Sequence, residues 1–389
     1  MQIIQTSKSI QELRFSVIRE MGGMAAHMDG VITLGIGEPD FNTPPAITEK
    51  AFQDALNGHT HYTPSKGDPE LLEKLAANIT RETGISTGSS SIIITHGGMG
   101  ALTASLRTLL EQGDHVLLVE PHFPDYIAHI AFARGVAVKA RSRAENRFIP
   151  LPQDIESAIT TKTRVLILNS PNNPTGAVIP GDVLDAISEL AIRYNLFVIS
   201  DEVYDRIIFD PPFESIVTRP GMAERTLVIK SFSKSHAMTG WRVGYCYGPQ
   251  AVIDQMLKVV NYSTACASSI GQRAAVAALD IDPSVISAMK DRFEARVDLV
   301  CTRLNAMEGI KVARPGGSFY LFADIRPITR KSREFAIRLL QEEKVVVIPG
   351  YAFGDSAEGF FRIACTRSKQ QLAEAMDRIQ AFLTRFREE

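Results

Sequence analysis

Short apolar runs rich in β-branched residues recur through much of the chain, and polar stretches with helical spacing separate several of them. Such runs predict strands buried on both faces, which is typical of a mainly parallel sheet covered by helices. In the segment Asp182–Tyr194, for example, apolar residues recur on one helical face. The seven runs that predict strands are Ile92–Thr95, Val116–Val119, Val136–Val138, Val165–Leu168, Leu196–Ile199, Leu227–Ile229 and Val243–Tyr247.

The pattern changes after about residue 285. A long helical stretch to about Met307 precedes shorter strand candidates at Ser318–Ala323, Val345–Ile348 and Phe361–Ala364, and an amphipathic helix follows. We therefore predict an α/β protein whose large domain spans residues 45–285 as three layers around the mainly parallel sheet. Residues 1–44 and 286–389 are predicted to form a smaller α+β domain.

Composition indicates an ordinary globular protein. Of its 389 residues, 45% are hydrophobic and 22% are charged, which is enough apolar surface to bury a core. Forty-two basic and 44 acidic residues leave a net charge of −2, so we expect no general surface for nucleic acid or for an anionic membrane. No apolar run approaches the roughly 18 residues of a membrane-spanning helix, and the N-terminus lacks a signal-peptide core.

The four cysteines, Cys246, Cys266, Cys301 and Cys365, are widely scattered and form no CxxC pair. This spacing argues against a disulfide scaffold and against a zinc site. We expect a cytoplasmic protein with no metal site.

Residues whose side chains or backbone could bind a ligand or take part in catalysis follow four of the predicted strands. Open α/β sheets bind ligands beyond the carboxyl ends of their strands, so these segments are the first candidates for a site. They are His96–Gly100, Asn169–Gly176, Ser200–Tyr204 and Ser231–Lys234.

Lys234 is a candidate nucleophile, because a lysine desolvated after a buried strand has a lowered pKa and can form a Schiff base. It ends the tetrapeptide Ser231-Phe-Ser-Lys, and Arg242 follows eight residues later. Hydroxyls and a guanidinium are the donors that a phosphate needs. For the tetrapeptide alone, a surface lysine in a polar loop is the alternative. The SxxK motif of serine β-lactamases fits less well, since no KTG partner occurs.

Three further features are ambiguous when each is taken alone. Asp201 closes a buried run and needs a cationic or N–H partner, such as the ring nitrogen of pyridoxal phosphate; a helix N-cap or a magnesium ligand is the alternative. Gly97-Gly98 could admit a phosphate at a helix N-terminus or could serve a tight turn, and it matches neither GxGxxG nor the Walker pattern. Asn173, before Pro174, is either aimed into a site by its restricted backbone or part of an ordinary turn.

In combination, these motifs resemble the class I/II aminotransferases, pyridoxal-phosphate-dependent enzymes of the aspartate aminotransferase family (fold type I). The specific motifs are SPNNPTG, SDEVY, and SFSK followed by MTGWRVGY. The resemblance covers essentially the whole chain, from Gly35–Phe41 to Phe361–Ile363. It implies pyridoxal 5'-phosphate as cofactor, a homodimer, and ping-pong transfer of an amino group from an L-amino acid to a 2-oxo acid.

The resemblance implies roles around the cofactor ring. Lys234 would hold the cofactor as a Schiff base and shuttle the substrate proton, and Asp201 would pair with the ring nitrogen. Tyr204 and Asn173 would donate hydrogen bonds to the ring 3-oxygen, and Phe123 would stack on the ring. Lys234, Asp201 and Tyr204 are thus the candidate catalytic residues.

The resemblance also implies a phosphate site. Ser231 and Arg242 would bind the phosphate together with backbone N–H groups around Gly98 and Met99. Tyr62 would reach the phosphate of the neighbouring subunit.

For the substrate, the resemblance implies that Arg362 grips the α-carboxylate, that Gly37 closes over it, and that Asn173 lines the same site. One position departs from the family pattern. Many relatives that use acidic substrates carry a lysine after the paired glycines, whereas this chain has Met99. Methionine provides an apolar wall without charge, which favours a neutral or aromatic donor without excluding aspartate.

Three alternatives remain open at this stage. A β-eliminating lyase of the cystathionine β-lyase type would use the same Lys234 and Asp201 and would release ammonia and pyruvate. A non-catalytic ligand-binding relative, such as a transcription regulator, is expected to carry a DNA-binding region before motifs that here begin at Gly35. A Rossmann-type dehydrogenase would leave Lys234 and Arg242 without a role.

Overall fold

Strands and helices alternate through residues 6–13 and 15–386, the part of the chain that this computed structural model describes. Residues 1–5, 14 and 387–389 of the predicted small domain lie outside the described residues. In chain order the strands are β1 (Ile32–Thr33), β2 (Ile92–Thr95), β3 (His115–Glu120), β4 (Val136–Arg141), β5 (Thr163–Asn169), β6 (Phe197–Asp201), β7 (Thr226–Ser231), β8 (Gly244–Tyr247), β9 (Lys311–Val312), β10 (Tyr320–Asp324), β11 (Val345–Val346), β12 (Ile348–Pro349) and β13 (Phe360–Ala364).

The α-helices cover both the sheet and the C-terminal part of the chain. They are α1 (Lys8–Gln11), α2 (Val17–Ala25), α3 (Pro45–Leu56), α4 (Pro69–Thr83), α5 (Gly97–Leu109), α6 (Asp125–Phe132), α7 (Pro152–Ala158), α8 (Gly181–Arg193), α9 (Phe232–Ser235), α10 (Gln250–Thr264), α11 (Ser269–Ala278), α12 (Pro283–Asn305), α13 (Ser332–Glu343) and α14 (Lys369–Phe386). Short 3₁₀ turns occupy Ser89–Ser91, Ala144–Asn146, Ile216–Thr218, Thr239–Trp241, Gly350–Phe353 and Asp355–Ala357.

A seven-stranded sheet in the order β2-β8-β7-β6-β5-β3-β4 forms the centre of the fold. Strand β8 is antiparallel to both of its neighbours, and the other pairs are parallel. Each of the seven predicted strands is present, so the predicted α/β class with a mainly parallel sheet is confirmed. Strand β4 continues three residues past the predicted Val138, to Arg141. Strand β4 lies at the edge of the sheet, where several of its side chains are exposed to solvent and can be polar. The apolar run therefore ends before the strand does.

Burial on both faces explains why the strand runs are continuously apolar. In β2, Ile92 and Ile94 pack on one side of the sheet, with residues of α4 and α11, whereas Ile93 packs on the other, with residues of α5 and α10. Successive side chains of a strand point to opposite faces, so helices on both faces require apolar residues at every position. Each such side chain stabilises the fold by about 1.5–3 kcal/mol when fully buried.

The C-terminal part has its own sheet, β12-β13-β10-β9, whose paired strands are antiparallel. Its core combines Met21 and Leu34 from the N-terminal segment with Phe335 and Phe382. The predicted strand Val345–Ile348 is divided in two. Strand β11 pairs in parallel with β1, while β12 joins the antiparallel sheet, because the chain changes partner at the buried Val347.

The domain division at residues 44/45 and 285/286 stays a prediction. Helix α12 begins just before that second boundary, and its Phe293 packs beside Tyr204 and Phe319 where the two sheets approach each other.

Within the described residues, no helix is long and apolar enough to cross a membrane. Nor does any group of three or more His, Cys, Asp or Glu side chains in that part of the chain form a candidate metal site.

Candidate active site

A pocket of about 550 Å³ opens beyond the carboxyl ends of β5, β6 and β7, against the start of α5. It contains every predicted site residue except Tyr62. These residues come from segments far apart in sequence and share this one cavity: Gly37, Gly98, Met99, Phe123, Asn173, Asp201, Tyr204, Ser231, Lys234, Arg242 and Arg362.

Lys234 extends into this pocket from α9, directly after β7. Its Nζ donates a hydrogen bond to the backbone oxygen of Gly37 at 2.5 Å. Burial, together with the positive charges of Arg362 and Arg242, lowers the pKa of Lys234 to about 8, against the opposing effect of Glu38. At pH 7 roughly one tenth of such amines are uncharged, so this lysine has access to its nucleophilic form.

Asp201 lies at the end of β6 with a neutral partner. Its Oδ2 accepts a hydrogen bond from the Tyr126 hydroxyl at 2.6 Å, and its Oδ1 accepts a long one from the Val203 N–H at 3.4 Å. Burial raises the pKa of Asp201 to about 6. Among the described residues no cationic side chain contacts this carboxylate, so the site is suited to a ligand that carries a positive charge.

Arg362 lies on β13 and is only 1% exposed. Its Nη1 donates to Asn173 Oδ1 at 2.8 Å, and its Nη2 donates to the Gly35 backbone oxygen at 2.5 Å. The guanidinium lies over the Tyr320 ring, 4.5 Å from its centroid. Its Nε is buried and has no hydrogen-bond partner in the described part of the chain. A buried unpaired N–H costs about 1–3 kcal/mol, which a bound carboxylate would relieve.

Tyr204 and Tyr320 form a buried pair whose hydroxyl oxygens are 3.0 Å apart. The same Tyr320 explains why residue 37 is glycine. A Cβ added to Gly37 would lie 1.8 Å from the Tyr320 hydroxyl oxygen, so any side chain would displace that ring.

A set of hydrogen-bond donors lies around the N-terminus of α5. Ser231 Oγ donates to Ser233 Oγ at 2.9 Å, and the Arg242 Nη1 donates to the Thr239 backbone oxygen at 2.7 Å. The backbone of Gly97 approaches closely, since a Cβ there would lie 2.9 Å from Arg242 Nη2. Two hydroxyls, one guanidinium and a helix N-terminus therefore line the same end of the pocket, as an anion site requires.

The family model for aminotransferases of class I and II matches residues 29–379 of this chain. The chain belongs to this family. Aromatic-amino-acid aminotransferase 2 of Thermococcus litoralis is 38% identical over 381 residues, which are 97% of this chain and 98% of that protein. The aspartate aminotransferase of Pyrococcus horikoshii is 39% identical over 375 residues, 95% of each chain.

The solved structures agree with the sequence comparison. The aspartate aminotransferase of Thermus thermophilus with maleate is similar with a TM-score of 0.93 at 35% identity, over 97% of this chain and all of that one (100%). The fold-type-I prediction and the prediction of a transaminase are confirmed. A β-eliminating lyase is not favoured.

Two residues of this aminotransferase that sequence reasoning missed support predicted ones. Tyr126 holds Asp201, and Tyr320 contacts Tyr204 and Arg362. Tyr126 lies in the first turn of α6, three residues after Phe123, and its ring packs edge-on against that phenylalanine at 5.6 Å. That spacing is the signal that could have identified it, whereas Tyr320 is one of three aromatic residues within Phe319–Phe322 and nothing in the sequence distinguishes it from the others.

Tyr62 lies outside the pocket of its own chain. It is 89% exposed, between α3 and α4. Because its predicted role is in a neighbouring subunit, that role stays a prediction.

Proposed function

We propose that this transaminase binds pyridoxal 5'-phosphate in the pocket and moves an amino group from a neutral or aromatic L-amino acid to a 2-oxo acid. The observation that carries the proposal is a lysine with a pKa of about 8 in the same pocket as the partly buried Asp201 carboxylate, which no cationic side chain of the described residues contacts. When bound, the cofactor supplies an aldehyde that takes up the amino group and a ring that accepts electrons from the substrate Cα.

The ring-binding residues have the donors and charges that this group needs. Asp201 would pair with a protonated ring nitrogen, which would supply the positive charge that its surroundings lack. Asn173 Oδ1 accepts a hydrogen bond from Arg362, so the Asn173 amide nitrogen remains able to donate a hydrogen bond to the ring oxygen. The Tyr204 hydroxyl can donate to the same oxygen while accepting from Tyr320. Phe123 lines the pocket where it could pack on the ring.

The phosphate would occupy the anion site at the N-terminus of α5. Ser231 and Arg242 would hold it with the backbone N–H groups of Gly98 and Met99. Lys234 and Arg362 line the same pocket, so both could act on a substrate bound beside the ring site.

Arg362 would bind the substrate, and Lys234 would transfer its proton. The Arg362 guanidinium would bind the α-carboxylate and so orient the Cα–H bond, with Gly37 and Asn173 beside it. Lys234 Nζ would be placed to take the proton from the substrate Cα and to return it, the proton movement that amino transfer requires. Positioned proton transfer of this kind contributes about 10²–10⁴-fold in rate.

The proposed donor preference rests on the apolar part of the pocket lining. Met99, Leu102 and Ile36 line the pocket with apolar surface. Transfer of an apolar or aromatic substrate side chain from water to this surface is favourable. An acidic substrate side chain would find no compensating positive charge at Met99. Aspartate is not excluded.

A screen of amino donors tests this function. Protein reconstituted with pyridoxal phosphate would be mixed with each amino acid, and the change in cofactor absorbance would be followed before 2-oxoglutarate, pyruvate or oxaloacetate is added. We expect neutral or aromatic donors to react fastest and a 2-oxo acid to restore the starting spectrum. Release of ammonia and pyruvate without amino transfer would contradict the proposal, as would an unchanged spectrum with every donor.

Asp201→Asn should still bind the cofactor but slow removal of the substrate Cα proton by about 10–10²-fold, the loss expected for one charge-assisted hydrogen bond. Stopped-flow absorbance of the first half-reaction measures this rate. Glu202→Gln is the matched control, because that neighbouring carboxylate accepts hydrogen bonds from Ser200 and Ser215 and does not line the pocket. Equal half-reaction rates in wild type and Asp201→Asn would refute the role of Asp201 at the ring nitrogen.

We propose a homodimer in which Tyr62 completes the neighbour's phosphate site. A second exposed aromatic residue, Tyr262 (88% exposed), supports the proposal that the surface around Tyr62 contacts a second subunit. A hydrogen bond of 2.9 Å between Ser65 and Asn261 connects the two segments that carry these tyrosines.

Hybrid dimers of two inactive variants, Lys234→Ala and one altered at Tyr62, should recover part of the activity. One kind of site in the hybrid carries both defects and the other carries none. Activity after subunit exchange, compared with each variant alone, measures the effect. A fully active monomer by light scattering would contradict the shared site.

A cytoplasmic location is also proposed, supported by four cysteines that are all free thiols in the structure.

A further inference from the structure

Among the described residues, four cationic side chains line the pocket, and the proposed function uses three of them. Lys234 is the nucleophile, Arg242 lies at the phosphate site, and Arg362 takes the α-carboxylate. The fourth is Arg19, which reaches the pocket from the first two turns of α2. It has no role in the function described so far.

Arg19 is available for a ligand. Among the described residues it makes no hydrogen bond and no ion pair within 4.0 Å. A free guanidinium offers five N–H donors in a planar arrangement that matches both oxygens of a carboxylate. Ile18 and Gly22 of the same helix also line the cavity, so α2 forms part of its wall.

Asp125 lines the same pocket at the start of α6. Burial raises the pKa of its carboxyl, and the positive charge of Arg19 acts in the opposite direction. The two side chains are therefore close enough to attract each other without forming a direct ion pair. Alone, Asp125 would repel a second carboxylate on a substrate, and Met99 would do nothing to offset this repulsion.

A ping-pong enzyme binds its donor and its acceptor in turn at one site, so the same walls must suit both side chains. We propose that Arg19 is a specificity-determining residue that binds the distal carboxylate of a dicarboxylic 2-oxo acid, the amino-group acceptor. When a neutral or aromatic side chain occupies the pocket, Asp125 attracts the guanidinium away from it. This inference rests on the proposed function and adds its acceptor class.

Arg19→Gln tests the inference directly. It should lower kcat/KM for 2-oxoglutarate and glutamate by about 10–10²-fold and leave that for a neutral or aromatic donor within about twofold. Arg19→Lys, which keeps the charge, should retain a large part of the dicarboxylate activity. Arg81→Gln is the matched control, because it removes one positive charge from an exposed helix position whose partner is Asn78. Asp125→Asn should raise kcat/KM for dicarboxylates.

Binding of unreactive acids gives a second readout that needs no turnover. Glutarate and pentanoate have the same chain length and differ by one carboxylate. For Arg19→Gln, calorimetry on the cofactor-loaded protein should show glutarate binding at least about tenfold weaker than in wild type, with pentanoate unchanged. Equal losses for both acids, or no loss for either, would overturn the role of Arg19. A wild-type protein that transfers no amino group would instead overturn the proposed function.

Discussion

Lys234→Ala should lower the rate of amino transfer by at least about 10⁴-fold and leave the fold intact. The substitution removes two functions of one amine, the covalent attachment of the cofactor and the movement of the substrate proton. Positioned proton transfer alone accounts for about 10²–10⁴-fold. Single-turnover absorbance with a reactive donor measures the loss, and thermal unfolding checks the fold.

A nearby lysine makes this expectation specific. Lys230 lies four residues earlier and is buried, and its Nζ forms an ion pair with Asp205 at 2.6 Å. Its carboxylate neighbours hold the pKa of Lys230 well above the usual value, against the effect of burial. Lys230 therefore remains protonated, whereas the Lys234 pKa of about 8 gives access to the uncharged amine. The difference comes from the charged partners, because desolvation lowers the pKa of both amines.

Borohydride reduction separates the two lysines. We expect the wild-type protein to be yellow and the reduced cofactor to label the tryptic peptide that begins at Ser231 and, with Lys234 blocked, continues to Arg242. Attachment of the cofactor by the apoprotein should accelerate as pH rises towards 8, since the uncharged amine becomes more abundant as protons are lost. Label on Lys230 or on any other lysine would refute the assignment of Lys234.

The parts of the fold that could be predicted from sequence are those in which local pattern and tertiary environment agree. The central strands are buried on both faces, so their apolar runs are visible in the sequence. The end of β4 was missed because Lys139 and Arg141 are tolerated at a sheet edge. The division of Val345–Ile348 into two strands depends on the partners β1 and β13, which no local pattern encodes.

Prediction of the site residues from sequence has the same limit. Residues at the ends of strands, such as Asp201 and Ser231, could be proposed because the topology of a parallel sheet brings those ends together. Tyr126 could have been identified only from its position three residues after Phe123. Tyr320 and Arg19 reach the pocket from a strand of the second sheet and from the N-terminal segment, and their sequences carry no special spacing. Their roles depend on tertiary packing, which only the structure shows.

Arg362→Lys should lower kcat/KM for amino acids by at least about 10²-fold, a loss of at least about 2.8 kcal/mol at about 1.4 kcal/mol for each factor of ten. The cause is geometry as much as charge. The guanidinium is held by Asn173, by the Gly35 backbone and by the Tyr320 ring, and its unpaired Nε remains for a ligand. A lysine ammonium keeps the charge but cannot make these contacts and also bind both oxygens of a carboxylate.

The pattern across substrates distinguishes carboxylate binding from a merely structural role. Simple amines without a carboxylate, which we expect to be poor substrates, should be affected much less than amino acids. Cofactor affinity should change little because Ser231 and Arg242 would hold the phosphate. Arg273→Lys is the control, since that buried arginine pairs with Asp54 and Glu70 and does not line the pocket. It should change stability without changing the preference for amino acids over amines. If Arg362→Lys weakened amines and amino acids equally, or released the cofactor, another residue would have to bind the α-carboxylate.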